Sequence, residues 1–509
     1  MPSQAGTKPA DDRGAGSPEH SAGRVERHML IDGVLSDGRS RQTFPSVNPA
    51  TGAIMGFAPD CDVDDAQRAV AAARRAFDST KWSTDITFRV KCLRQLHAAL
   101  IGHREELRRL TVAETGATWR LTEGPYLDAP INAVGRHADT LAANSSTTAG
   151  DGDAGRGTHW TEKGPIGVVS ICTGSSHPMR MAIAALGPAL AAGCTVVLKG
   201  GSDAALTTLA LGELIATTTE IPAGVVNLLA SLNPAVDSTL ASHRDVDLIS
   251  FTGSVAAGRR LMVAASGAVK RVWMKPERKS TAIVLDDADV STCTEQIALM
   301  ATSHAGQGSA PISRVLVPAH RCDTAVGDLA KCLAAVRYGD PADVCTWMGP
   351  LISDRRRDEV DEMVKRAIAS GATLVRGGGM VRPGYFYEPT LLTGVDPESE
   401  VLAAEVGGPV LVVVPYDDDR DAVRIANRSI CGPSGVVFGS HERALAVARR
   451  VRTGRMSING GNYLGPDSRF GYAEEHDIPA DGSVELEKFL EHKTFAAADP
   501  EEYRRAVDF

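Results

Sequence analysis

Short β-branched runs recur along this chain, separated by segments long enough for a helix, from Ile166 almost to the end. Ile166–Cys172, Thr195–Leu198, Val225–Leu229, Leu248–Phe251, Ala282–Leu285 and Val315–Val317 read as strands apolar enough to be buried on both faces. Such strands need helices above and below them, so the pattern predicts an α/β fold built on parallel sheets. Upstream, Val63–Phe77 carries Ala and Val at helical spacing, and His28–Leu35 alternates as a strand does. At 509 residues the chain exceeds one ordinary core, so two or three domains are expected. Residues 1–25, rich in Gly, Pro, Ser, Asp and Arg, read as a disordered tail.

The longest apolar run, Met181–Leu198, approaches membrane-span length, but Gly187, Pro188 and Gly193 divide it into a buried helix and a buried strand. No membrane association is expected. A formal net charge of −9 argues against nucleic acid or an anionic bilayer as partner. The triplet Arg355-Arg356-Arg357 reads as a solvated helix face rather than a phosphate site. Nine cysteines are scattered without the spacing of a zinc pair, and no secretory signal precedes them. They predict reduced thiols, no metal, and a cytoplasmic protein.

One junction suggests a ligand. Leu248–Ser254 runs from a strand into the helix Val255–Ala265, and the small turn at Gly253-Ser254 leaves backbone N–H groups facing any phosphate. The same residues also suit an ordinary helix cap.

The order of short motifs resembles the aldehyde dehydrogenase superfamily over roughly residues 28–495. Asn48-Pro49-Ala50-Thr51-Gly52, Ala71–Phe77 and Glu114-Thr115-Gly116 are similar to the family's opening. Pro188–Lys199, Gly224-Val225-Val226-Asn227, Phe251-Thr252-Gly253-Ser254, Gly306-Gln307, Gly349-Pro350-Leu351, Gly408-Pro409-Val410 and Glu491-His492-Lys493 continue the series at the right spacings. The resemblance implies two Rossmann-like domains and a small β oligomerisation arm. Residues 26–144 and 164–275 would form the cofactor-binding-like domain and 276–483 the catalytic-like domain. Residues 145–163 and 484–509 would form the arm and C-terminal tail, giving a homo-oligomer, a dimer or tetramer.

The family's reaction uses a cysteine nucleophile, a glutamate base, an amide that holds the oxyanion, and NAD or NADP as hydride acceptor. The resemblance places the nucleophile two residues after Gly306-Gln307, where this chain has Ser309, and no cysteine lies between Cys293 and Cys322. Arg314 anchors the downstream side. Lys275 stands at the glutamate position. Glu277 is the alternative base, about 7 Å farther along if the strand continues. Ser176 replaces the amide. Lys199 and Glu405 stand where the family binds the two cofactor riboses, and Gly253 and Ser254 stand near the pyrophosphate. Against these, Gly200-Gly201-Ser202 replaces Pro-Ser-Glu, while Ser231, Asn233 and Asp237 replace glycines that let backbone approach the dinucleotide. Asp237 is expected to bring negative charge to the phosphates. Gly407 replaces the Phe that flanks the nicotinamide ribose.

Changes at nucleophile, base, oxyanion donor and cofactor loops together point to a non-oxidising pseudoenzyme: a binding, scaffold or regulatory subunit, with a protein partner in that reading. NAD(P) binding is expected to be weak or lost. One alternative is a repurposed enzyme in which Ser309 and Lys275 carry out acyl transfer or carbonyl chemistry, with His177 and His304 as spare proton carriers. The other is a weak NAD(P)-dependent aldehyde oxidoreductase.

Overall fold

A computed structural model describes residues 25–143, 159–276, 279–308, 311–428, 434–460 and 486–496. The expected tail before residue 25, Glu277 and Ser309 lie outside these, as do parts of the expected arm. The buried runs form two seven-stranded sheets. The first contains β1 (Met29–Ile31), β2 (Val34–Ser36), β3 (Val168–Cys172), β4 (Thr195–Lys199), β5 (Val226–Leu229), β6 (Leu248–Gly253) and β7 (Arg271–Pro276), in the order β7-β6-β3-β4-β5-β1-β2. Pairing from β7 through β5 is parallel, and the β1–β2 hairpin adds on antiparallel.

The second sheet contains β8 (Ser280–Val284), β9 (Ile312–Pro318), β10 (Thr373–Arg376), β11 (Thr390–Thr393), β12 (Val410–Tyr416), β13 (Gly435–Phe438) and β14 (Ser457–Ile458). Its order is β10-β11-β12-β9-β8-β13-β14, antiparallel only at β10. The α/β class with parallel-dominated sheets is thus observed. The inner strands are mostly buried, Val168–Cys172 and Thr195–Lys199 along their whole length. The apolar run splits as its glycines require: a helix Pro178–Ala192 ends at Gly193, left-handed at φ +95°, and β4 begins two residues later. Among the described residues no helix is long and apolar enough to cross a membrane.

Strand order places the cleft. The chain passes from β3 outward to β5, then returns to lay β6 on the other side of β3. The loops after β3 and β6 therefore part at the carboxyl edge, where open α/β sheets hold ligands. Separately, His159–Pro165 pairs antiparallel with Leu490–Ala496, so the expected arm segments form a two-stranded ribbon.

Much of the family-like sequence is explained by mutual packing. Glu114 is fully buried and accepts from Ser46 Oγ (2.8 Å) and from the backbone N–H groups of Leu206 and Thr207 (2.8 and 2.7 Å), capping the helix Ala205–Thr218. Gly116, at φ +69°, lies under Pro350; a Cβ there would come 2.6 Å from the ring. Gly306 presses on the Gly408 carbonyl, and Gln307 accepts from Ile352 N (2.9 Å) while donating to the His304 carbonyl (3.1 Å).

Candidate functional site

A cleft of about 420 Å³ opens at the switch point between β3 and β6, bounded across from it by the helix Asp354–Ala369 and the segment Glu405–Gly407. The carboxyl ends of β3, β4 and β6 and the loops that follow supply Ser176, Lys199, Gly253 and Ser254; the second sheet's side supplies Gly308 and Glu405. These expected positions therefore share one cavity. Lys275 is not among its lining. It pairs with Thr252 in register and lines a much smaller hollow with Trp273, Met181, Lys488 and Phe489.

At the β4 end, the Lys199 ammonium lies 3.2 Å from the Asp237 carboxylate. Ser231 and Asn233, expected as obstructions, are taken up elsewhere, Ser231 by the segment at Asp60-Cys61 and Asn233 by the helix that follows it. Ser231 Oγ lies 2.7 Å from Asp60 Oδ1, and Asn233 caps the helix Pro234–Ser242 through the Ala235 N–H. Of the three replaced glycines, only Asp237 reaches the cleft, and it meets a cation there. Glycine at 201 lets the loop after β4 close on Ser175, whose hydroxyl accepts from the Asp203 N–H (3.2 Å). Ser254 caps the helix Val255–Ser266 by accepting from Ala257 N (3.3 Å).

The loop leading to residue 309 is unusual. His304, Ala305 and Gly306 are consecutively left-handed, at φ +47°, +52° and +72°. Side-chain-bearing residues rarely hold that conformation without tertiary support. Here the support is aromatic. Tyr126 stands edge-on to His177 and His304, with ring centroids 4.2 and 5.2 Å away, and the two imidazoles are 4.9 Å apart. His304 Nε2 donates to the Ser176 carbonyl (2.8 Å), while His177 Nδ1 lies 2.9 Å from Ser176 Oγ. The His177 ring also fills the space beside Gly308, where no Cβ would fit. Burial pushes His304 down to about 4 and His177 well below its ordinary value, with His304 and Arg180 adding to the shift of His177. Both are neutral at pH 7.

Cys172 lines the cleft but is no substitute nucleophile. Burial and then the Asp237 charge push its thiol up to about 12, so thiolate is scarce at neutral pH. Lys279 is fully enclosed, donates to the Val401 carbonyl (2.6 Å), and is lowered to about 7 by burial and Arg314 against the pull of Glu405. Arg314 is buried on Thr281 Oγ1 (2.7 Å) and the Ala426 carbonyl (3.1 Å). Among the described residues no three His, Cys, Asp or Glu side chains are placed to hold a metal ion.

Sequence reasoning missed Tyr126, which belongs to no motif. It also misplaced the arginine triplet. Arg355 is exposed and Arg356 half-buried, yet both line the cleft, while Arg357 is buried against Asp358 and the Tyr385 ring, so the face is solvated only in part. The signal was available in the first helical turn after Gly349-Pro350-Leu351, a motif that packs against the site.

The model of the aldehyde dehydrogenase family matches residues 36–494. The chain belongs to the aldehyde dehydrogenase family. Its relatives within that family include a 3-succinoylsemialdehyde-pyridine dehydrogenase of a Pseudomonas species, 34% identical over 92% of this chain and 98% of that protein. An aminoacetaldehyde dehydrogenase of Pseudomonas aeruginosa is 34% identical over 86% and 88%. Among solved aldehyde dehydrogenases, a cysteine-to-alanine variant of aldehyde dehydrogenase C from Pseudomonas syringae, complexed with NAD+ and octanal, superposes with a TM-score of 0.85. It is 31% identical, over 93% of this chain and 97% of that one. The NAD+ complex of an aldehyde dehydrogenase from Bacillus cereus gives 0.84 at 28% identity, over 93% and 96%.

Proposed function

We propose that this chain does not oxidise aldehydes and serves as a binding, scaffold or regulatory subunit built on the dehydrogenase fold. The observation that carries the reading is the His177 imidazole seated beside Gly308, next to the nucleophile position. An aldehyde carbon attacked by residue 309 has to lie within about 3.5 Å of it with its oxygen in a donor pocket. The Ser176 hydroxyl, replacing the amide donor, is engaged with His177 Nδ1, and in the donating arrangement its one proton is already used. Ser309 has no thiolate to offer, and the base position holds an amine.

The test is turnover of aliphatic and aromatic aldehydes with NAD and with NADP. The proposal expects none, nor any for Ser309→Cys alone, because Lys275 remains. Turnover by the unmodified protein that scales with its concentration overturns it.

The domain division expected from the resemblance accompanies this reading, as does a homo-oligomer. Met262 and Val263 are exposed on the helix Val255–Ser266, an apolar patch suited to a second copy of the chain, and the terminal ribbon offers open strand edges. Light scattering that reports a monomer at micromolar concentration refutes the oligomer.

A further inference from the structure

The cleft carries a different charge pattern from one built for a whole dinucleotide. Its lining includes four cationic side chains, Lys199, Arg260, Arg355 and Arg356, and three carboxylates, Asp203, Asp237 and Glu405. Asp237 pairs with Lys199 at 3.2 Å, and Arg355 lies 3.7 Å from Asp203 but closer, 3.0 Å, to Glu359. Arg356 reaches the same Glu359 (3.2 Å), outside the lining, and Arg260 is exposed with no ion pair among the described residues. Arg355 and Arg356 thus share one carboxylate outside the lining, and Arg260 adds a further cation at the wall.

Arg356 also occupies a telling place. Its guanidinium lies on Gly407, where an added Cβ would come 3.1 Å from Nη1. The resemblance puts a Phe at 407, flanking the nicotinamide ribose, so an aromatic wall has become a charged one. A nicotinamide ribose there would lose its aromatic wall and instead desolvate the Arg356–Glu359 ion pair, which is costly. A whole NAD therefore fits this cleft poorly at its nicotinamide end. At the β4 end the case is opposite. A carboxylate and an ammonium 3.2 Å apart match the hydroxyls of a ribose, the one accepting and the other donating. They also oppose a 2′-phosphate, which would meet Asp237.

We propose that the cleft binds a nucleoside diphosphate rather than a nicotinamide dinucleotide, with the ribose on Lys199 and Asp237 and the terminal phosphate on Arg356 and Arg355. Guanidinium groups bind phosphate bidentately, and the start of the helix Val255–Ser266 adds backbone N–H groups along the wall. This deepens the non-oxidising reading, because a diphosphate carries no hydride acceptor.

Calorimetry on the full chain tests it with ADP, AMP, NAD and NADP as probes. ADP is expected to bind about tenfold or more tightly than NAD, with AMP weaker than ADP and NADP weakest. Arg356→Gln is expected to weaken ADP about tenfold while leaving NAD unchanged or tighter. Inorganic pyrophosphate is expected to displace ADP from the unmodified protein, an arm that needs no variant. NAD binding as tight as ADP, an ADP affinity indifferent to Arg356→Gln, failure of pyrophosphate to compete, or no ADP binding at millimolar concentration would each overturn the assignment. Aldehyde turnover is measured apart from these titrations. A chain that prefers ADP yet oxidises aldehydes sinks the pseudoenzyme reading alone, and an inert chain that prefers NAD sinks this one alone.

Discussion

The Nε2–H of His304 donates to the Ser176 carbonyl across 2.8 Å, joining the loop of the nucleophile position to the loop of the oxyanion position. That bond fixes the tautomer, so Nδ1 is an unprotonated acceptor, and it has no hydrogen-bond partner among the described residues. A proton arriving at Nδ1 would put a charge between Tyr126, His177 and the buried loop.

Acid should therefore loosen this region. The folded state holds His304 at about 4, below its ordinary 6.5, so between those values the unfolded chain binds a proton that the folded chain does not. Stability from this group is complete above about pH 6.5 and is lost as pH falls toward 4, by on the order of 3 kcal/mol. His177 shifts the same way. Melting temperatures measured across that window should fall less steeply for His304→Gln than for the unmodified protein. Parallel curves would remove the histidine from the account.

Much of this architecture is legible in the sequence because burial on both faces leaves few polar residues, such as Ser170 and Ser250, to disguise a strand. Thr195–Leu198 and Leu248–Phe251 each lie inside the observed β4 and β6. Site positions are legible where a backbone constraint accompanies them, as at Gly306-Gln307 and Gly253. Side-chain direction is a different matter. Strand alternation puts Trp273 and Lys275 on one face, but the sequence does not say that this face meets Lys488 and Phe489 rather than the cleft. Tyr126 reaches the histidines from a segment about 50 residues away from His177, a contact without periodicity. Arg356 shows the same gap: charge density along a helix suggests solvent, and only packing of its first turn against Gly407 shows otherwise.

The family-like motifs of the scaffold should behave as structure and not as chemistry. Glu114→Ala strands the backbone N–H groups of Leu206 and Thr207 in a dry interior and is expected to cost about 3 kcal/mol or more. Gly116→Ala adds a methyl 2.6 Å from Pro350 at φ +69° and should also destabilise, by roughly 1–3 kcal/mol. Both should lower the melting temperature while leaving nucleotide affinity unchanged below it. A variant that melts normally but loses ligand would place its residue in the site.

The Ser309 and Lys275 alternative makes a separate demand. A neutral Lys275 acting as base would let an activated acyl ester modify Ser309, and Lys275→Met would abolish the labelling. With Lys275 lining the hollow beside Trp273 and Phe489, no adduct is expected in intact-mass analysis from pH 7 to 9. An adduct on Ser309 that disappears in Lys275→Met would establish acyl chemistry and displace the binding role.

The most direct measurement is NAD(P)H formation from a panel of aliphatic and aromatic aldehydes by the unmodified protein and by Ser309→Cys with Lys275→Glu. The account predicts no product from the unmodified chain at any enzyme concentration, because thiolate, base and free oxyanion donor are missing together. It predicts little recovery in the double variant, because His177 still fills the space beside Gly308 and Arg356 still faces the nicotinamide end. Product that rises in proportion to the unmodified protein would contradict it.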